Sequence, residues 1–486
     1  MGQAMVVDFG KMDAVAVANL VAAKEVTPSE LLDQALAAVE RLNPRLNAVV
    51  LLQEDVARRA IAHGLPRGPF TGVPFLLKDL GAEARDFPSH NGSRLLANTR
   101  YGQDSSIWLR MRATGVVTFG RTTSPEGGVG AATEAAVYGG PTRNPWNLDH
   151  TSGGSSGGAA AAVAAGIVPF AHGSDGGGSV RIPASSCGLF GFKATRARLP
   201  DGPYAGEGWA GMAIDGFLTR SVRDTAVMLD ACEGADRGAP YWAPPLGRGY
   251  AAAITRPPRR LRIAVCDTTF TGSPIHPECR KAVHEAAALL ERLGHHVEPG
   301  RPTADVPSMM AAWTDIVAVG TSLSIRTALK GRSLSADLVE GVGRGAVAHA
   351  ATLPPERYLE AVGEIHDFGR EMAAFFEPDE GIGPDILLSA TLAEPPARVG
   401  RFAHATEDYV AYRTGPEGIF AYSPFCAVFN ASGQPAASLP LHVTPEGLPV
   451  GVHLASRFGA DEVLIALCAE IEAAAPWIGH RPPLHA

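Results

Sequence analysis

Apolar positions recur at helical spacing from Leu31 and Leu32 through Ala35 and Leu36 to Val39. They follow Thr27-Pro28-Ser29-Glu30, the pattern of a capping box with proline in the first turn. Asn43-Pro44 is expected to end that helix. Residues 49–52 and 73–77 are short apolar runs of the kind that form buried strands, and Lys78 closes the second. Residues 107–113 predict a helix and 116–120 a strand leaving it. The segment 138–158, rich in Gly, Pro, Asn and Ser, predicts loop, and 159–167 a buried helix. Small and apolar residues continue over 183–193, and the N-terminal half is expected to close near Leu199.

Beyond that point the order is strand (261–265), helix (277–293), strand (294–298), which predicts an α/β sheet. Residues 300–380 are helical in pattern. Strands are expected near 386–388 and 450–452, then a closing helix over 460–474. No internal repeat or low-complexity linker divides the chain. The simplest organisation is one α/β domain over 1–486, with a core at about 20–299 and 381–475 and a helical insertion at about 300–380.

The 486 residues are 46% hydrophobic and 19% charged, which allows an ample core. The net charge of -8, without a lysine or arginine block, argues against nucleic acid or an anionic membrane as the main partner. The apolar run 159–171 is too short and alanine-rich to span a bilayer. Met1–Gly10 lacks the basic start and long apolar run of a secretory signal. Cys187, Cys232, Cys266, Cys279, Cys426 and Cys468 show no short repeat spacing, against a zinc ribbon or disulfide framework. A cytoplasmic protein with buried, reduced thiols is expected.

Chemistry enters with two glycine-framed serines, Gly153-Gly154-Ser155-Ser156-Gly157-Gly158 and Asp175-Gly176-Gly177-Gly178-Ser179-Val180-Arg181. Glycine lets backbone N–H groups approach a ligand closely. A serine is a weak nucleophile until a base takes its proton. A lysine can serve once burial disfavours its charged form, and Lys78 follows an apolar strand. A lone lysine is ordinarily a solvated surface group; the two serine loops change that reading. Asp79 would oppose the shift if it paired with Lys78. Ser179 is the preferred nucleophile, with the N–H groups of Gly176, Gly177, Gly178 and Ser179 as oxyanion donors. Ser155 would relay the proton between Ser179 and Lys78, and Ser156 would bond nearby backbone.

Two other readings fit less well. Gly153–Gly157 matches G-x-S-x-G, but a nucleophile elbow must follow a strand and the preceding residues read as loop. Neither glycine loop has the lysine of a phosphate-binding loop. His150, His172, His295 and His296 read as loop or surface histidines. Trp146 and Trp313 read as packing residues rather than substrate platforms, Trp313 lying in the variable region that could line a pocket.

At these residues the chain resembles the amidase signature family. The run Gly153–Gly158 and the segment Gly173-Ser174-Asp175-Gly176-Gly177-Gly178-Ser179-Val180-Arg181-Ile182-Pro183-Ala184 are similar to its signature. Gly72–Asp79, Gly120–Glu126, Thr142–Trp146, Asn430, Gly433–Ala436 and Gly447–Val452 resemble its flanking motifs. The resemblance implies Ser179 as acylated nucleophile, Ser155 as a bridging serine after a cis peptide from Gly154, and Lys78 as base, with Gly154, Ser156, Asp175 and Arg181 in support. It further implies one large mixed sheet covered by helices, no metal or cofactor, and cleavage of amides through an acyl-enzyme. Gly176 departs from the family's threonine-like residue, a change expected to widen the oxyanion loop. Locally the chain is similar to bacterial amidases of xenobiotic substrates such as the nylon cyclic-dimer hydrolases; the family also holds aryl acylamidases and enzymes that open carbamates (urethanases). The expected partner is a small amide or carbamate, with self-association left open. A glutaminase subunit of a tRNA-dependent amidotransferase uses the same residues and is the alternative.

Overall fold

The structure, a computed structural model, describes residues 6–486, so the first five residues of Met1–Gly10 lie outside the described residues. Helix Pro28–Leu46 starts as its sequence predicts: the Thr27 hydroxyl accepts from Glu30 N–H at 3.2 Å, and the Glu30 carboxylate accepts from Thr27 N–H at 2.8 Å. It runs past the expected stop and includes Pro44. In the last turn that proline removes a single backbone bond. Asn43 organises the exit, its side-chain oxygen accepting from Ala48 N–H and Val49 N–H at 2.8 Å each, and Asn47 turns the chain with φ of 49°.

Three short strands, β1 (Val49–Val50), β2 (Pro74–Lys78) and β3 (Val117–Thr122), pair in the order β1-β3-β2. The segment expected to be loop contains a hairpin, β4 (Arg143–Asn144) and β5 (Asn147–Thr151). Its residues are mostly polar, so backbone pairing forms it without the apolar alternation that marks a strand. The hairpin stands apart from the main sheet and does not make the strand of a nucleophile elbow.

Eight strands make the main sheet: β6 (Phe170–Asp175), β7 (Phe190–Lys193), β8 (Ile214–Thr219), β9 (Arg262–Val265), β10 (His296–Pro299), β11 (Ile386–Ala390), β12 (Ala436–Val443) and β13 (Pro449–Ser456). Their order is β10-β9-β11-β13-β12-β7-β8-β6. The sheet is mixed: β9 pairs in parallel with β10 and β11, and the remaining pairs are antiparallel. Helix Gly157–Ala164 begins directly after the first serine loop and is buried at every position. All six cysteines are free and buried.

Three helices, Val306–Leu329, Gly341–Thr352 and Arg357–Phe376, occupy the segment between β10 and β11. The first is long and apolar enough to cross a bilayer by length and composition. Here it packs along the other two, and its Trp313 is 3% exposed.

Candidate active site

Strand β2 is buried along its whole length, so Lys78 at its end carries its amine into the interior, 0% exposed. Strand β6 lies beside it. Alternation places His172 and Ser174 on one side of β6. Lys78 Nζ donates to Ser155 Oγ at 2.7 Å and Ser174 Oγ at 2.9 Å. Lys78 N–H donates to His172 Nδ1 at 3.2 Å, so the ring proton sits on Nε2, which donates to Asp215 Oδ1 at 2.9 Å. Asp215 is on β8, in register with Ser174. Burial pushes the Lys78 pKa down to about 7, against the opposing charges of Asp215 and Asp175.

Asp79 does not pair with Lys78. Its carboxylate accepts from Ser89 Oγ, His90 N–H and the Tyr138 hydroxyl. Arg121, also buried, fixes the turn after Lys78 by donating to the carbonyls of Lys78, Ala82, Phe87 and Pro88. His172 is therefore a buried support of the lysine rather than a loop or surface histidine. His295 is buried too, with Nε2 3.1 Å from Glu470 Oε2, whereas His296 is exposed. Neither histidine announced its burial, because each sits in a segment without apolar alternation.

The peptide from Gly154 to Ser155 is cis. A Cβ on Gly154 would come within 2.7 Å of Ala132 backbone, which explains glycine there. Ser156 braces the two serine loops: its N–H donates to Ser179 carbonyl at 3.2 Å, and its hydroxyl donates to Ser174 carbonyl and accepts from Ser174 N–H. Ser179 lies in the wall of a narrow cavity and is 9% exposed. Its hydroxyl has no hydrogen-bond partner among the described residues, so the Ser155–Ser179 link is not made in this state. Such links commonly tighten only when substrate binds.

A buried cluster shapes the loop before Ser179. Arg181 forks onto Asp175, Nε to Oδ2 at 3.0 Å and Nη2 to Oδ1 at 2.9 Å, and also donates to Asn430 Oδ1 and His453 Nε2. Asn430 Nδ2 returns to the Asp175 carbonyl at 2.9 Å. Burial alone would raise the Asp175 pKa, but Arg181 and Asn430 outweigh it and hold the carboxyl well below the usual range. Burial, then the Arg181 charge, keeps His453 neutral.

This cluster corrects the expected oxyanion set. Gly178 N–H donates to Asp175 Oδ1 at 2.7 Å and is engaged. The N–H groups of Gly176, Gly177 and Ser179 have no acceptor among the described residues and remain available. Gly178 has φ of 120°, and a Cβ there would lie 2.5 Å from Cys426 Cβ, so its contribution is shape. Nor does Gly176 widen the loop: the missing side chain's place is taken by Trp209, whose Cζ3 would be 2.6 Å from a Cβ.

Trp209, Trp313, Arg413 and Phe420 line the cavity with Gly177 and Ser179. On the far side of Trp209 lies a second cavity of about 570 Å³, bounded by Leu80, Tyr101, Glu126 and the helix Val306–Leu329. No group of three His, Cys, Asp or Glu side chains among the described residues is placed to hold a metal ion.

A profile of the amidase family matches residues 30–465. The chain belongs to the amidase signature family. It is 36% identical to the 6-aminohexanoate-cyclic-dimer hydrolase of Paenarthrobacter ureafaciens over 97% of this chain and 96% of that one. The solved structure of a 6-aminohexanoate cyclic dimer hydrolase complexed with substrate superposes with a TM-score of 0.91 at 35% identity, covering 99% and 100% of the two chains. A bacterial aryl acylamidase of the family superposes with a TM-score of 0.84 at 30% identity, covering 97% and 99%. The large mixed sheet with its many helices is the amidase signature fold, and the chain is a hydrolase of that family.

Sequence motifs pointed to Lys78, Ser155, Ser156, Asp175 and Ser179, and the fold brings them together. His172 reads from sequence, wrongly, as a loop or surface histidine, Ser174 is seen only as part of the signature segment, and Asp215 is not singled out. The reason is that the strand Phe170–Asp175, which aligns the first two, carries no apolar alternation. Trp209 and Arg413 carry no motif, and only the fold delivers them to the cavity.

Proposed function

We propose that this amidase hydrolyses small amides, anilides or carbamates through an acyl-enzyme on Ser179. The observation that carries the reading is a fully buried lysine amine 2.7 Å from Ser155 Oγ. As a neutral amine, Lys78 turns its lone pair to the Ser155 hydroxyl and takes its proton. Ser155 in turn takes the Ser179 proton as Ser179 Oγ attacks the carbonyl carbon. The oxyanion falls to the N–H groups of Gly176, Gly177 and Ser179, each such donor contributing about 2.7–4 kcal/mol to the transition state. When the C–N bond breaks, the nitrogen receives a proton through Ser155 from Lys78. Water then attacks the Ser179 ester, giving up a proton along the same path, and releases the carboxylic acid or, from a carbamate cut at its C–N bond, a carbonic acid half-ester.

Anilides and aliphatic amides are favoured by the kinship with an aryl acylamidase and a cyclic-dimer hydrolase. Carbamates share the planar acyl–nitrogen bond. Incubation with a fluorophosphonate is expected to add its mass to the peptide carrying Ser179, and Ser179→Ala to abolish both labelling and turnover of a panel of anilides, amides, carbamates and glutamine. A label on another residue sinks the assignment. Turnover of glutamine alone, and only with a co-purified partner, would favour the amidotransferase subunit instead.

A further inference from the structure

Three large guanidinium groups are fully or almost fully buried near this site, and two are matched. Arg121 faces backbone carbonyls and Arg181 faces Asp175, Asn430 and His453. Arg413 differs. It stands on the helix Tyr409–Thr414, is 2% exposed, and lines the same cavity as Ser179. Its Nε and Nη2 have no hydrogen-bond partner among the described residues.

Two rings flank the cation, Trp313 at 4.7 Å and Tyr409 at 5.3 Å from guanidinium carbon to ring centroid. Aromatic faces hold a guanidinium in place but supply no acceptor in its plane, so apart from the interaction of the Tyr409 hydroxyl with Arg413 its Nε and Nη2 stay unmatched. An arginine stays charged in a protein, and a buried charge without a counterion is costly. The same indole reaches the oxyanion loop: Trp313 Cζ2 would lie 2.9 Å from a Cβ on Gly177. One ring therefore separates the cation from the reacting loop.

We propose that Arg413 receives a carboxylate carried by the substrate a few carbon atoms from the scissile carbonyl. The enzyme then prefers half-amides of short dicarboxylic acids, or acylated short amino acids, over their neutral counterparts. Arg413 is a specificity residue: its fork matches a carboxylate, and its dehydration is already complete in the folded protein. This rests on Ser179 being the reacting residue of that cavity.

The test uses Ser179→Ala protein, so that binding is read without turnover. Calorimetry compares N-phenylsuccinamate with neutral N-phenylsuccinamide, which places the charge on the acyl side, and 4-acetamidobutanoate with 4-acetamidobutanamide, which places it on the amine side. In one of the two pairs the anion is expected to bind at least about 30-fold more tightly, and Ser179→Ala with Arg413→Gln to bring that ratio below about 3-fold, the loss of one partner of a buried charge pair. The pair that shows the preference tells which side carries the acid. Ser179→Ala with Arg413→Lys, which keeps the charge but not the fork, is expected to retain an intermediate ratio and serves if the glutamine variant fails to fold. Ratios below 3-fold in both pairs with Arg413 present, or a preference that survives Arg413→Gln or is unchanged in Arg413→Lys, overturn the proposal. Absence of amide turnover by the unmodified enzyme would sink the hydrolase reading while leaving these ratios to judge Arg413.

Discussion

If Lys78 is the base, as proposed, the acid limb of the kcat/KM profile is expected to follow its amine, and one charge beyond its hydrogen-bond shell can move it. The fall from an ordinary lysine's 10.5 to about 7 corresponds to about 5 kcal/mol in favour of the neutral amine. At pH 7 about half of the enzyme then holds a usable base, against roughly 0.03% for a solvated lysine. Because the neutral form is active, kcat/KM rises with pH, from about a tenth of its plateau at pH 6 to about nine-tenths at pH 8. Asp215 is the charge that most opposes the shift. Asp215→Asn keeps an acceptor for His172 Nε2–H while removing that charge, so the limb is expected to move about one pH unit toward acid. Lys193, the other buried lysine with a pKa near 7, owes nothing to Asp215, so a displaced limb identifies Lys78. The assay is initial-rate hydrolysis of a 4-nitroanilide from pH 5 to 10 at constant ionic strength. A limb centred above pH 9, or one that stays put or moves toward alkali in Asp215→Asn, refutes the neutral-lysine base.

Asp175→Ala leaves Arg181 buried without its partner and is expected to lower stability by about 3–5 kcal/mol in urea unfolding; an unchanged midpoint would show that the cluster does not hold the loop. Gly176→Thr drives a side chain into Trp209 and is expected to cut kcat by more than about 10-fold, with part recovered in Gly176→Thr/Trp209→Ala, a coupling that steady-state kinetics on the four proteins measures. Lys193 is 1% exposed with Ala194 carbonyl as its acceptor, and burial lowers its pKa to about 7. Between pH 7 and 10.5 the unfolded chain holds the proton that the native lysine has lost, so this group's share of stability increases as pH rises, by at most about 1.4 kcal/mol per pH unit. The Tm gain of Lys193→Met over the parent is accordingly expected to shrink from pH 7 to pH 9 in scanning calorimetry, and a gain that grows with pH would contradict the assignment.

Local sequence determined the elements whose causes are local. The capping box before Pro28, the apolar run of β2, the glycines that allow close backbone approach and the serines they frame follow from neighbouring residues, and with them the family and its reacting groups. Tertiary structure decided what depends on residues far apart in the chain. Lys78 has a lowered pKa and reaches Ser155 because β6 and the first serine loop close over it. Gly178 loses its N–H to an Asp175 that Arg181 and Asn430 fix, and Gly176 is small because Trp209 arrives from another loop. Arg413 faces the cavity only because a helix more than two hundred residues beyond Ser179 folds back against it. Burial and partner identity are properties of that assembly, and it is they that set protonation, donor supply and the charge a substrate meets.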